Sequence, residues 1–452
     1  MLTLLFLLVL FTRLPQILSY NIPFSFDHGR DSLAVLQLIK TFNPVFIGPW
    51  TSIPGLFFGP GWYYLLTPAY WLLGGNPLAG PLTMLVLNLL IVFLAKKFFG
   101  RYEAIIFTAA PLFLITSTGA ANPFPMILLG LLLIIALEKN WPVFWSGFIL
   151  GWAFHFSSAL AILWLLPLLI IIKPRQWLKF FAGLILTFLP QLLFEIKHNF
   201  SQVRAVIDYF TAGESQHITP GKIQIVTNSV FHELSLAIWP NIGALIIIPA
   251  FFLWSKIGLL ILFPLIGFWF LHYNPWYAYG LAPLAVVLFG KILRRLPKFI
   301  AIAYCLLLII TLLIKKPSDL SGNKAMLQSK LAALNYIYYR ADRQPFSSYH
   351  YLPEIYDYAY QYLYIWQAFK GRPLPVDFSY QPNAPVYIPE KASLLAKLPP
   401  PIGQPEKIFL IIEQPDNIWH YPFESWLKQI GYSEIIDKKI IGPELEVWQL
   451  KP

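Results

Sequence analysis

Three charged side chains lie within five positions near the start of the chain, in the stretch FDHGRDS at residues 26–32. If a helix begins at Asp27, the spacing places Asp27, Arg30 and Asp31 on one face. An arginine can hold a phosphate by charge-assisted hydrogen bonds, and an aspartate can act as a general base or orient a hydroxyl group. A simpler interpretation is that Asp27 caps the helix and that Arg30 and Asp31 are ordinary solvated charges.

The elements that must position these residues have the composition of a polytopic membrane protein. Of the 452 residues, 57% are hydrophobic and only 12% are charged, and apolar runs of bilayer-spanning length recur along the chain. The run 142–172 is too long for one span, and His155-Phe-Ser-Ser near its middle predicts a hairpin of two helices. Apolar segments then lie near residues 2–19, 56–74, 78–95, 103–118, 124–137, 142–157, 158–172, 177–194, 236–254, 257–271, 276–290 and 299–314.

The distribution of Lys and Arg favours eleven crossings over the twelve that hydropathy alone would count. All the basic clusters share the cytoplasmic side if every segment from 78 onward spans. Segment 56–74 is rich in Gly, Pro, Trp and Tyr, which suits an interfacial helix. FDHGRDS and the C-terminal residues are then outside. If segment 56–74 crosses instead, FDHGRDS is cytoplasmic.

Arg13 interrupts the first apolar segment. Either its side chain snorkels to the interface, or the true start of the protein lies upstream of this sequence.

The composition changes near residue 315, which predicts two domains. Residues 1–314 carry 18 Lys/Arg and 8 Asp/Glu, and residues 315–452 carry 15 and 14. The excess positive charge therefore belongs to membrane loops, which argues against a nucleic-acid partner. We expect a membrane domain at 1–314 with a catalytic first external loop at 20–77, and a small extracytoplasmic α+β domain at 315–452.

The C-terminal part carries recognisable local patterns. MLQSKLAALNYIYYRA and PFESWLKQIG predict helices, and KIFLIIE predicts a strand. Two short strand-like runs follow, around Ile435–Ile441 and Leu445–Leu450, and the Pro-rich stretch 381–405 is expected to be a loop. The single cysteine, Cys305, excludes a disulfide framework within the chain.

Other polar residues fall at predicted outer turns. Glu195, Lys197 and His198 end segment 177–194; they either mark the water boundary or form a wall of a donor pocket, with Lys197 or His198 on phosphate. His155 at the hairpin tip is either structural or functional. Tyr277 belongs to an aromatic cluster that is either a membrane-interface belt or a sugar-stacking surface.

Several motifs together resemble the C-class membrane glycosyltransferases, which include dolichyl-phosphate-mannose–protein mannosyltransferases, bacterial aminoarabinose transferases and their bacterial relatives. In that family the first external loop opens with Asp-x-x-Arg, and Asp27-His-Gly-Arg30 matches it. A second interfacial helix follows, here GPGWYYL at 59–65, and then a basic turn, here KKFFGR. FEIKH at 194–198 and YDYAYQYLYIW at 356–366 also resemble one bacterial branch.

The chain departs from the family at Phe57-Phe58. Aminoarabinose transferases carry Glu-Lys there, and the protein mannosyltransferases carry a histidine. The lysine that would assist phosphate binding must come from elsewhere, with Lys197 as one candidate, or Arg30 works without it.

The resemblance implies inverting transfer of a sugar from a polyprenyl-phosphate donor to an extracytoplasmic acceptor, by a multi-pass protein of the plasma membrane. The sugar and the acceptor, whether glycan, lipid or protein, stay open. Asp27 would be the base or orient the acceptor, with Asp31 in support, and Arg30, Lys197 and His198 would bind the donor phosphate. His155, Glu195, Tyr63, Tyr64 and Tyr277 would line the substrate pocket.

Two other functions stay open. One is a transporter or flippase of lipid-linked sugars, which is expected to show internal repeats; the sequence has no clear repeat. The other is a non-catalytic membrane scaffold. No GK[ST] phosphate loop, HExxH or CxxC motif is present. We assign no metal ligands and no certain cofactor, although the pair Asp27/Asp31 could hold a divalent metal in some relatives.

Overall fold

The computed structural model describes residues 1–211, 219–238, 256–314, 326–354, 356–401, 403–413 and 422–452. The described chain is mainly α-helical and has one small sheet, as the sequence predicted. It forms two compact units. The first comprises Met1–Leu14, Val45–Leu65 and Pro81–Pro317, and the second comprises Pro15–Pro44, Leu66–Gly80 and Ser318–Pro452. The membrane and extracytoplasmic assignments of the predicted domains stay predictions.

The first three helices are α1 (Leu2–Leu18), α2 (Phe26–Thr41) and α3 (Gly61–Leu72). α2 lies wholly within the second unit, and α1 and α3 are each divided between the two units. The further helices that the structure describes between residues 79 and 314 are α4 (Ala79–Phe98), α5 (Arg101–Ala109), α6 (Pro111–Thr118), α7 (Met126–Glu138), α8 (Val143–Phe154), α9 (Ser158–Ile171), α10 (Trp177–Lys197), α11 (Ser201–Thr211), α12 (Pro220–Ile238), α13 (Lys256–Phe270), α14 (Ala282–Leu293) and α15 (Lys298–Ile314). Short 3-10 helices lie at Pro174–Gln176 and Pro275–Leu281.

The predicted hairpin at 142–172 is confirmed: α8 and α9 are separate helices with His155 at their junction. Two other segments differ from the prediction. Segment 103–118 breaks at Ala110 into α5 and α6, because Pro111 begins a new helix there. Within segment 56–74, only Gly61–Leu72 is helical.

Glycines allow α8 and α10 to approach closely within the first unit. A Cβ added at Gly147 would lie 1.8 Å from the carbonyl oxygen of Phe180, and one at Gly183 would lie 2.1 Å from that of Phe144. Close backbone contact through small residues is typical of helix pairs in membranes, where apolar burial between helices supplies little driving force.

Three described helical stretches are long and apolar enough to span a bilayer, namely Ala79–Phe98, Pro174–Lys197 and Pro275–Leu293. Six shorter apolar helices accompany them in the described residues. Most of the predicted segment 236–254 lies outside the described residues. The count of eleven crossings therefore stays a prediction.

Arg13 does not snorkel. Its side chain is fully buried inside the first unit, where it donates hydrogen bonds to the Thr108 carbonyl at 2.6 Å and to Ser117 Oγ at 3.1 Å. A guanidinium in an apolar bundle is tolerated only when such acceptors satisfy its N–H groups.

The second unit contains a five-stranded sheet in the order β2-β1-β3-β5-β4. The strands are β1 (Phe346–Tyr351), β2 (Phe378–Ser379), β3 (Lys407–Glu413), β4 (Glu434–Gly442) and β5 (Leu445–Lys451). β1 pairs in parallel with β2 and β3, and β5 is antiparallel to β3 and β4. The apolar run of β3 is buried at the centre of the sheet, as expected for a strand with partners on both sides.

Four further helices complete this unit: α16 (Leu327–Ala341), α17 (Tyr358–Phe369), α18 (Pro389–Leu395) and α19 (Phe423–Ile430). Both helices and all three strands that the sequence predicted here are present. The prediction of a loop over 381–405 was wrong in part, because Pro389 starts the short helix α18.

Candidate active site

The FDHGRDS stretch forms the first two turns of α2, and Ser25 is its N-cap. His28 folds back onto this cap, with its Nδ1 accepting a hydrogen bond from the Ser25 backbone N–H at 3.1 Å. This is a capping-box arrangement, with a histidine in the position usually taken by Glu or Gln. Asp27 is therefore not the cap, and the simpler interpretation of the motif is wrong at this point.

Asp27, Arg30 and Asp31 form one cluster of ion pairs on α2. Arg30 Nη1 lies 2.7 Å from Asp27 Oδ1, and Nη2 lies 2.8 Å from Asp31 Oδ1. Arg30 Nε also donates to Asp31 Oδ1 at 2.9 Å. The predicted shared face is confirmed by this geometry, and the idea that Arg30 and Asp31 are solvated charges is wrong because both are buried.

The three side chains differ sharply in exposure. The side chain of Asp31 is 4% exposed and that of Arg30 is 11% exposed, whereas that of Asp27 is 58% exposed. The buried pair of Arg30 and Asp31 is thus fixed in position, and Arg30 holds the exposed Asp27 carboxylate through one terminal nitrogen. The arrangement presents an oriented carboxylate to solvent at the start of a helix.

Residues from the C-terminal part of the same unit surround this cluster. Glu354 Oε2 accepts a hydrogen bond from the Phe26 backbone N–H at 2.7 Å, and the Phe26 ring meets Tyr358 edge-on at 5.0 Å. Burial raises the pKa of Glu354. Burial also raises the pKa of Glu390, which is close enough to feel the opposing charge of Arg30.

Helix α17 packs against α2 at Gly29, the residue between His28 and Arg30. A Cβ at Gly29 would lie 2.3 Å from the backbone nitrogen of Ala359, so only glycine permits this approach. Nearby, Ser32 Oγ and the Tyr70 hydroxyl form a hydrogen bond of 2.7 Å, and Tyr362 donates to the Gly75 carbonyl. These contacts fix the helix that carries the ion cluster.

A buried polar network fixes the start of α17 in turn. Asp357, the N-cap residue, accepts hydrogen bonds from His350 Nδ1, from the Tyr387 hydroxyl and from the Gln361 amide. Burial alone would raise the pKa of Asp357, but these hydrogen bonds hold it below the ordinary value of 3.8. The ionised carboxylate therefore belongs to the folded state.

His155 lies in the first unit, where both of its ring nitrogens are engaged. Nδ1 accepts from the Gly61 backbone N–H at 3.1 Å, and Nε2 lies 3.0 Å from the Thr187 carbonyl, to which it donates. A Cβ at Gly59 would lie 2.0 Å from His155 Nδ1. These contacts give His155 a structural role at the start of α3, and its predicted place in a substrate pocket stays a prediction.

Glu195 also has a structural partner in the first unit. Its carboxylate accepts from the backbone N–H groups of Gln202 at 3.2 Å and Val203 at 3.3 Å, and so caps the start of α11. Gln202 in turn accepts from the Phe57 N–H at 2.8 Å. Together with His155, this network anchors both ends of the turn at residues 57–61.

The remaining predicted residues are in the first unit as well. Lys197 and His198 are exposed at the end of α10, and the His198 ring stacks on Phe194 at 4.0 Å. Tyr63 is buried, while the hydroxyl of Tyr64 donates to the Val45 carbonyl at 3.0 Å. Tyr277 is half-buried in an aromatic cluster with Phe268 and Tyr273.

The structure thus brings Asp27, Arg30 and Asp31 together in one unit, with Glu354, Tyr358 and Glu390 beside them. Tyr358 belongs to the YDYAYQYLYIW motif at 356–366, whereas no local pattern in the sequence marks Glu354 or Glu390, which lie more than 300 positions from α2 along the chain. Among the described residues, no group of three or more His, Cys, Asp or Glu side chains is placed to hold a metal ion.

Two solved structures are similar in fold to this chain. ArnT from Cupriavidus metallidurans, crystallised with undecaprenyl phosphate, matches with a TM-score of 0.57 over 99% of this chain and 97% of that protein, at 11% sequence identity. Its apo form matches with a TM-score of 0.55 over 95% of this chain and 94% of that protein, at 12% identity.

The chain has an ArnT-like fold. The resemblance that the sequence motifs indicated, to the aminoarabinose transferases among the C-class glycosyltransferases, is confirmed at the level of the fold. ArnT and this chain correspond over nearly their full lengths, so the likeness includes both units. No family model and no curated protein matches the sequence.

Proposed function

We propose that this protein is a membrane glycosyltransferase that takes its sugar from a polyprenyl-phosphate donor. The observation that carries the proposal is the exposed Asp27 carboxylate, held by a buried Arg30–Asp31 pair at the start of α2 in a chain with the ArnT fold. The ArnT of Cupriavidus metallidurans binds undecaprenyl phosphate in its crystal structure. By analogy of fold, we propose that this chain uses a donor of the same lipid class.

The proposed reaction is an inverting displacement at the anomeric carbon. A hydroxyl or amine of the acceptor attacks that carbon, the new bond to the acceptor forms, and the bond to the phosphate oxygen breaks. Polyprenyl phosphate leaves with the bonding electrons. Asp27 accepts the proton of the acceptor and later returns it to water.

The contacts of the Arg30 guanidinium suggest how it contributes to binding the donor phosphate. Two of its N–H contacts go to the buried Asp31, and Nη1 goes to the exposed Asp27. We propose that the donor phosphate takes Nη1 from Asp27 when it binds. The same exchange stabilises the charge of the leaving phosphate and frees Asp27 to act as a base. Asp31 supports this by holding the other edge of the guanidinium.

The proposal includes the other residues that the sequence predicted for the site. Lys197 and His198 would bind the phosphate, and the turn at 57–61, anchored by His155 and Glu195, would shape the substrate pocket with Tyr63, Tyr64 and Tyr277. The protein would work in the plasma membrane with the 315–452 domain outside, where the acceptor is found.

A turnover assay tests the proposal against transport of the same lipid. The purified chain in sealed proteoliposomes is given a panel of polyprenyl-phosphate-linked pentoses and hexoses with a cell-envelope extract as acceptor. We expect the wild type to release polyprenyl phosphate. Arg30→Lys should lower the rate of release at least about 100-fold, because lysine keeps the charge but cannot donate hydrogen bonds to two partners as the guanidinium does. Movement of intact lipid-linked sugar between leaflets without such release would instead indicate a flippase.

The matched control is Glu424→Gln, which removes an exposed acid on α19. It should leave turnover unchanged. The configuration of the product at the anomeric carbon, read by proton NMR, tests the inverting mechanism. Retention of configuration would contradict a single displacement.

A further inference from the structure

Basic residues gather in two segments of the first unit, and none of them takes part in the proposed reaction. The basic turn, residues 96–101, joins α4 to α5, and the basic link, residues 294–298, joins α14 to α15. Arg294 connects the two segments, because its Nη1 donates to the Phe99 carbonyl at 3.3 Å and also pairs with Glu103. The distribution of Lys and Arg predicts that both segments lie on the cytoplasmic side of the membrane.

The charge of the two segments is not balanced within the described chain. The acid that lies closest along the sequence, Glu103, is fully buried, and its ion pair engages only Arg294. The other cations form no ion pair with any residue that the structure describes. Neighbouring uncompensated cations repel one another and favour a negatively charged partner. The two segments contain no acid, and their cations are Lys96, Lys97, Arg101, Arg294, Arg295 and Lys298.

Two of the cations in the basic turn are held in place by aromatic side chains. The guanidinium carbon of Arg101 lies 4.8 Å from the centre of the Tyr102 ring, and its Nη2 donates to the Tyr102 hydroxyl at 3.0 Å. The ammonium nitrogen of Lys97 lies 5.8 Å and 5.3 Å from the ring centres of Phe93 and Phe98. Both cations are therefore oriented without a counter-ion, and an incoming anion meets donors whose directions are already fixed.

Exposed apolar side chains lie beside these cations. Leu296, Phe299 and Ile300 follow or interrupt the cations of the basic link, and the Phe299 side chain is 72% exposed. A soluble anion gains nothing from such neighbours. A phospholipid presents its phosphate next to its acyl chains, so cations beside apolar side chains at the ends of apolar helices match both parts of that molecule.

We propose that the basic turn and the basic link bind an anionic phospholipid, with Lys97, Arg101 and Arg295 on its phosphate and its acyl chains against Phe299. The lipid would tie the α4–α5 turn to the α14–α15 link, which the Arg294–Glu103 pair already joins. The inference does not rest on the proposed function, because it uses none of the residues assigned to the donor or the acceptor.

Native mass spectrometry of the purified full chain in detergent tests the binding. The chain is titrated with phosphatidylglycerol, with phosphatidylcholine of the same acyl chains, and with glycerol 3-phosphate as a soluble anion. We expect phosphatidylglycerol to bind most tightly. Each cation near an anionic lipid contributes about fivefold in affinity, so Arg101→Gln should weaken binding about fivefold and Arg101→Gln/Arg295→Gln about 25-fold.

The matched control is Arg175→Gln. Arg175 is an exposed arginine of another turn that the sequence predicts to be cytoplasmic, and it lies outside the two segments. The substitution should leave the affinity for phosphatidylglycerol unchanged. A loss as large as that of Arg101→Gln would indicate diffuse attraction to all surface cations and would overturn the proposal. Equal binding of phosphatidylcholine, or equally tight binding of glycerol 3-phosphate, would overturn it too.

Melting curves in nanodiscs separate a lipid site from a structural role of Arg101. In pure phosphatidylcholine, Arg101→Gln should have the Tm of the wild type, because Arg101 is exposed and has no acidic partner in the described chain. Added phosphatidylglycerol should raise the Tm of the wild type more than that of the variant, since a ligand that binds the folded chain stabilises it. A rise of the same size in both proteins would contradict the proposed site.

Discussion

Replacing Asp31 by alanine should destabilise the second unit much more than the same change at Asp27. Asp31 is 4% exposed and accepts two hydrogen bonds from Arg30, which is itself 11% exposed. Removing one partner of a buried ion pair typically costs about 3–5 kcal/mol, and because Arg30 keeps its contact with Asp27 we expect the low end, about 3 kcal/mol. For a domain of 150–250 residues this corresponds to a fall in Tm of roughly 6–12 °C.

Asp27 provides the internal control because it contacts the same arginine from the exposed side, at 58% exposure. Exposed pairs are worth about 0–1 kcal/mol, so Asp27→Ala should lower Tm by less than about 4 °C. Tm is measured by tryptophan fluorescence of the purified chain in detergent.

The double variant Arg30→Met/Asp31→Leu completes the test. It removes both buried charges, so it should recover most of the stability that Asp31→Ala loses. If the Tm of Asp31→Ala is no lower than that of Asp27→Ala, the buried Arg30–Asp31 pair does not hold the cluster in place. The explanation of how Asp27 is oriented would then be wrong.

Three further predictions concern the elements around the cluster. Gly29→Ala should lower both Tm and turnover, because its Cβ would clash with α17, whereas Gly442→Ala, which meets only ordinary contacts, should do neither. His155→Ala should reduce turnover with little change in its pH profile, as befits a positioning residue; a lost basic or acidic limb would contradict this. Asp357 has a pKa below 3.8 in the folded state, so its contribution to stability is present above about pH 4 and lost as the pH falls further; Asp357→Asn should flatten this acid loss in pH-dependent melting curves.

The ion cluster on α2 could be predicted from the local spacing of its residues. The residues that pack around it could not, because they are far from α2 along the chain. Asp27, Arg30 and Asp31 are one helical turn apart, so any helix over 26–32 brings them to one face. Glu354 and Glu390 reach the same place only through the packing of the C-terminal residues on α2. No periodicity in a single sequence reports such long-range contacts.

The missed elements have physical causes of the same kind. β1, with the sequence FSSYHY, looks polar, yet all six residues are buried because the sheet continues on both sides and α17 covers it with tyrosines. Pro111 and Pro389 each begin a helix, a position that proline favours. The signal of Pro111 was missed because it lies in a continuous apolar segment, and that of Pro389 because it lies in a Pro-rich stretch. The roles of His155 and Glu195 as partners of backbone N–H groups depend on which turn folds against them, and that is visible only in the fold.

The central claim is that Asp27 acts as a base in sugar transfer from a polyprenyl-phosphate donor. Its most direct test is the rate of polyprenyl phosphate release by Asp27→Asn in proteoliposomes, compared with the rates of the wild type and Glu424→Gln. The Tm of each protein is measured to check that all three are equally well folded. We expect Asp27→Asn to be slower by about 10²–10⁴-fold, the range of general-base catalysis, with its Tm nearly unchanged. Wild-type turnover in a well-folded Asp27→Asn protein would contradict the account.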